Sequence, residues 1–137
     1  MLDEGNGTGP YVDGFVLPVM PDKKEAYLEL AQKAAVNFDK HGALRLVEAW
    51  GDDIPDGKQT DFRRAVQAEE GENVVFSWIE WPDKATRDAG WAKMMEDPDM
   101  QPDGDMPFDG KRMFWGGFEV VLDRTAAGDA QAKPALA

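Results

Sequence analysis

The chain has 137 residues, 42% of them hydrophobic and 31% charged, and Asp plus Glu outnumber Lys plus Arg by 27 to 15 for a formal net charge of -12. A field of that sign repels phosphate backbones and anionic headgroups, which argues against nucleic acid and membrane surfaces as partners. Without cysteine there is no disulfide framework, thiolate nucleophile or sulfur-built metal centre, and the start M-L-D-E-G-N-G-T-G has neither the basic nor the apolar region of a signal peptide.

No apolar run reaches the ~18 residues of a membrane span, so a cytoplasmic protein is expected. Residues Met1 to Gly9 are polar and glycine-rich and predict a disordered arm; residues 10–124 predict one domain; the alanine-rich stretch Thr125 to Ala137 predicts a disordered tail.

Tyr11 to Val19 is the first predicted strand, and Pro18 marks an edge or a strand end. Pro21 to Glu25 reads as a helix start, with Asp22 accepting from the amide three residues on and Glu25 reaching back. Tyr27, Leu30, Ala31, Ala34, Ala35 and Phe38 then form one stripe of a helix from about Lys23 to Lys40, stopped by Gly42. Ala43 to Trp50 predicts a strand with Leu44, Leu46, Glu48 and Trp50 on one face and Arg45, Val47 and Ala49 on the other. The acidic loop from Gly51 to Lys58 should be exposed. Phe62 to Ala68 could be a strand or a helical turn, and is read as a strand pairing with the next through a turn at Gly71.

Glu72 to Trp81 carries Val74, Val75, Phe76, Trp78, Ile79 and Trp81, so both of its period-2 faces are apolar and it should be covered on both sides. Pro82-Asp83 opens a second helix, with Asp83 as cap and Ala85, Ala89, Ala92 and Met95 as the inner stripe, joined by Trp91 or Met94 on the flanks. Gly90 weakens it by about 1 kcal/mol relative to alanine. It must stop near Asp97-Pro98, before an extended loop rich in proline and glycine. Met113 to Asp123 is the last strand, kinked or closely approached at Gly116-Gly117.

The order strand, helix, strand, strand, helix, strand predicts an α+β ferredoxin-like βαββαβ plait: a four-stranded antiparallel sheet with two helices on one face. The other face would be apolar and uncovered. A second copy is its simplest cover, so a homodimer through the open sheet face is expected, closing a dimeric α/β barrel.

Y-V-D-G-F-V, G-A-L-R-L-V-E-A-W, P-D-G-K-x-T-D-F-R, V-V-F-S-W-I-E-W-P, K-M-M-x-D-P and M-P-F-D-G-K-R-M-F-W-G-G-F-E together resemble the YbaA-like bacterial family of unknown function, over about Tyr11 to Asp123. The resemblance implies a ferredoxin-like homodimer and brings no catalytic residue with it.

Four carboxylates fall inside predicted strands: Asp13, Glu48, Glu80 and Glu119. By period 2, Glu80 shares a face with Phe76 and Trp78, Glu48 with Leu46 and Trp50, and Glu119 with Trp115 and Gly117. If these faces line a barrel, its interior is an aromatic pocket with acids suited to proton transfer; if the acids pair with Arg45, Arg63 or Arg112, they are structural. Arg63 and Arg112 are the candidate anion forks, or arginines that close their own loops onto Asp61 or Asp109. His41 reads as an exposed helix cap. No nucleophile sits beside a base, no glycine-rich loop cradles a phosphate, and neither metal nor cofactor is expected.

Two functions fit. One is a small-ligand-binding or accessory dimer, with Trp78, Trp115, Trp50, Glu119 and Arg112 as candidate ligand contacts. The other is a cofactor-independent monooxygenase or isomerase acting on a small aromatic or quinone-like molecule, with Glu80 or Glu48 as base and Arg63 stabilising an enolate.

Overall fold

The computed structural model describes residues 10–97 and 106–124; the expected arm at Met1–Gly9 and tail at Thr125–Ala137 lie outside them. Four strands, β1 (Tyr11–Val19), β2 (Arg45–Trp50), β3 (Asn73–Trp81) and β4 (Phe114–Glu119), form one antiparallel sheet in the order β2-β3-β1-β4. Helix α1 (Lys24–Lys40) joins β1 to β2, and α3 (Lys84–Glu96) lies between β3 and β4. This is the ferredoxin-like plait.

Register divides the sheet into two faces. Tyr11, Asp13, Phe15, Leu17 and Val19 of β1 stand opposite Trp81, Ile79, Ser77, Val75 and Asn73 of β3. The helices cover this side: Phe38 of α1 and Met94 of α3 pack with Tyr11, Ile79 and Trp81, while Tyr27 and Ala31 pack with Leu17, Val19 and Val75. β1 is a central strand. Its pairing with β4 ends at Val16, so Pro18, which cannot donate, has a ladder partner on the β3 side only.

Three local expectations are corrected. The stretch after Thr60 is no strand: Asp61 accepts from the Arg64 amide at 2.8 Å and caps a single helical turn, α2 (Phe62–Ala65). Asp22 caps nothing; Pro21–Lys23 is a 3-10 turn that runs into α1, and neither start has a side-chain cap. On α3, Ala85, Ala89 and Ala92 face solvent with Met95, which is 72% exposed. The buried face is instead Arg87, Gly90, Trp91 and Met94. Asp83 does cap α3, accepting from the Thr86 amide at 2.7 Å, and Gly42, at φ 109°, supplies the left-handed stop of α1.

The connection from Gly51 to Glu72 folds back as a flap over one end of the face opposite the helices. Its fully buried Val66 packs on Val16 and Val74.

Candidate functional site

The open face is built from the alternate residues of each strand. Reading across, one row is Phe118, Val12, Glu80 and Arg45; the next is Gly116, Gly14, Trp78 and Val47; a third is Phe114, Val16, Phe76 and Ala49. This surface carries large exposed aromatics: Phe62 of the flap is 48% exposed and, beyond the flap, Phe76 44%, Phe114 46% and Phe118 60%. Phe62 of α2 meets Phe76 edge-on at 6.2 Å, and Phe76 meets Trp78 at 5.6 Å. Glu80 is the acid of this face. Its Oε2 accepts from Trp78 Nε1 at 2.9 Å and lies 3.5 Å from Arg45 Nη1.

The candidate site residues do not share one face. Trp78 and Glu80 are on the open side; Glu48, Trp50, Trp115 and Glu119 are on the helix side. Glu48 accepts from the Tyr27 hydroxyl at 2.6 Å; burial raises the pKa of both groups, and for Glu48 the tyrosine's hydrogen bond opposes that rise. Trp50 lies under Lys24 Nζ at 4.9 Å. Trp115 stacks on Trp91 at 5.6 Å and on Phe15 at 6.2 Å.

Arg112 grips Glu72 with both Nη atoms, at 2.6 and 2.8 Å, and reaches Asp109 Oδ2 with Nε at 3.0 Å. This partnership holds the Glu72 carboxyl below its ordinary range. Arg63 donates to the carbonyls of Glu69 and Glu72. The Arg112 fork therefore ties the flap's return to the segment before β4, whereas Arg63, itself in α2, closes the flap onto its own return. It is Arg64, not Arg63, that pairs with Asp61, at 3.4 Å. His41 is half-buried rather than exposed, with Nε2 3.3 Å from Asp97.

The residue that sequence reasoning missed is Arg87. Asp13 is fully buried, and Arg87 reaches its Oδ1 with Nη2 at 2.6 Å and with Nε at 3.1 Å. The indole nitrogens of Trp81 and Trp91 donate to Oδ2 at 2.9 and 2.8 Å. The guanidinium also lies over the Tyr11 ring at 5.1 Å. Gly117 is glycine for this reason: a Cβ there would stand 2.4 Å from the Tyr11 hydroxyl and 2.8 Å from Arg87 Nη2. The available signal was the spacing of Arg87 with Gly90, Trp91 and Met94. Among the described residues no three acidic or histidine side chains converge as a metal site would require, and no helix is long and apolar enough to cross a membrane.

Residues 10–110 match the model of a family described as protein of unknown function, DUF1428. The chain belongs to this family. The DUF1428 chain is 63% identical over 114 residues to the uncharacterized protein YbaA of Escherichia coli K12, covering 82% of this chain and 97% of that one, and equally to YbaA of Shigella flexneri. Among solved structures it is similar to a dimeric ferredoxin-like protein from an uncultured marine organism, with a TM-score of 0.50, 12% identity, and coverage of 83% of this chain and 98% of the other. At that identity the likeness concerns the DUF1428 fold. The matched span takes in β1 through β3 and α3, hence the Asp13–Arg87 pair and most of the open face.

Proposed function

We propose that this protein works as a homodimer, paired through its open sheet face, and serves as a small-ligand-binding or accessory dimer. The observation that carries this reading is the exposed aromatic surface of Phe62, Phe76, Phe114 and Phe118, on the face opposite the helices. Strands about 4.8 Å apart and up to nine residues long make a face roughly 20 by 30 Å, the scale of one partner's ~800 Å² share in a standard interface. The similar ferredoxin-like protein is described as dimeric, which supports the same arrangement. A non-catalytic role is favoured because Asp13, Glu48 and Glu72 are each committed to partners within the chain.

Sedimentation at micromolar concentration tests the assembly. Wild type is expected to run as a dimer, and Phe76→Glu with Phe118→Glu as a folded monomer. A well-folded wild-type monomer refutes the reading.

A second reading rests on Glu80. Its Oε2 is held by Trp78 and Arg45 on the face that pairing would enclose, which fits a base in a cofactor-independent monooxygenase or isomerase acting on a small aromatic molecule. Glu80→Gln separates the two. It should abolish turnover of a small quinol if Glu80 moves a proton, and leave both dimer and ligand binding nearly unchanged if it does not.

A further inference from the structure

Most glycines whose surroundings are described here answer to the chain itself. Gly42 and Gly71 have positive φ, at 109° and 87°. A Cβ on Gly90 would stand 2.7 Å from the His41 carbonyl, and one on Gly51 2.9 Å from that of Val74. Gly14 and Gly116 differ. They are directly paired neighbours on β1 and β4, in the middle of the open face and beside Trp78. Neither has positive φ, and their added Cβ atoms would meet only the ring of Phe118, at the ordinary contact distances of 3.6 and 3.7 Å.

The Phe118 ring leans back along β4 across both glycines and is 60% exposed. In an isolated chain a valine at either position would push that ring toward water at small steric cost. It would also gain strand propensity that glycine lacks. The fold of one chain therefore gives no reason for glycine here. Glycine inside a strand often marks the close approach of something else. What it secures is low relief: the ring can lie down on the sheet only because nothing branches beneath it.

We propose that Gly14, Gly116 and the Phe118 ring lying across them form the seat on which the open face of a second copy lands, and that the glycines set how closely the two sheets approach. This rests on the homodimer reading. An interface between identical copies must carry both its projections and its recesses on one surface. The exposed Phe62, Phe76 and Phe114 are the projections, and the paved glycine pair is a recess of matching chemistry. A branched side chain under Phe118 would lift the ring into space that the second sheet occupies, as over-packing does in a core.

The test uses Gly14→Val and Gly116→Val in the full chain. Gly110→Ala serves as control, since its added Cβ meets nothing within 4 Å. The dimer dissociation constant is measured by dilution in sedimentation velocity, and monomer stability by urea unfolding where the monomer prevails. Each valine variant is expected to weaken the dimer at least ~10-fold with monomer stability unchanged or higher, and the control to behave as wild type. Valine variants that dimerise like wild type overturn the seat and leave the homodimer standing, with a small molecule then the better occupant of the recess. Valine variants whose monomer is destabilised also overturn it, because the glycines would then serve the single chain. A monomeric wild type overturns the homodimer and the seat together.

Discussion

At the scale of single residues the molecule turns on buried charge. Asp13 has its oxygens covered by a guanidinium and two indole N–H groups, so the ion is compensated, and removing either partner strands the other. Asp13→Asn is expected to cost about 3–5 kcal/mol, read from urea unfolding. A cost near zero would show that the amide oxygen of asparagine serves the guanidinium and the indoles as well as the carboxylate does. Glu48 behaves in the opposite sense. Burial raises its folded pKa above 4.5, so the folded state holds its proton more tightly than the unfolded chain does. The stability linked to this proton is full below pH ~4.5 and lost as pH rises through the folded value. Glu48→Gln should therefore gain on wild type as pH is raised from 4 to 8, with the difference flat at the acid end. For Glu72, held low by Arg112, stability is present above its unfolded pKa and lost as pH falls. An ionised Glu48 as stabilising as its glutamine replacement at pH 8 would contradict the first of these assignments.

At the scale of elements, positions were legible because their signals are local: apolar runs in β1 and β3, alternating faces in β2, a proline where β1 leaves its pairing with β4, and the Asp83 cap of α3. The tripartite split of the candidate site was not, since which alternate face meets the helices depends on cross-strand register. The orientation of α3 was misread for a related reason. Its alanines offer little apolar area, so the Asp13 carboxylate drawing Arg87 inward decides which side is buried. Phe62–Ala68 went astray because Asp61 as a cap competes with an apolar alternation only a few residues long. Two substitutions test these accounts by sign. Gly90→Ala improves helix propensity yet should lower the melting temperature, as its Cβ would sit 2.7 Å from the His41 carbonyl and 2.8 Å from Trp81. Gln67 has φ 52° at the end of the flap's helical turn. Gln67→Gly should stabilise by up to about 1 kcal/mol in the same melts, and a loss would show that its side chain matters more than its backbone.

At the scale of the whole molecule, the proposed dimer would bring two like-charged copies of formal charge -12 face to face. Added salt screens that repulsion over ~10 Å at 0.1 M, so raising NaCl from about 0.05 to 0.5 M should tighten the dimer; weakening with salt would mean that ion pairs hold it. Each side of the sheet carries its own tryptophans. Trp81 and Trp91 share one carboxylate beneath α3, whereas Trp78 stands on the uncovered side. Under the proposed pairing the protein carries its own optical gauge, since the surroundings of Trp78 would change when a second molecule arrives while those of Trp81 and Trp91 follow the seating of α3, with no dye attached to either.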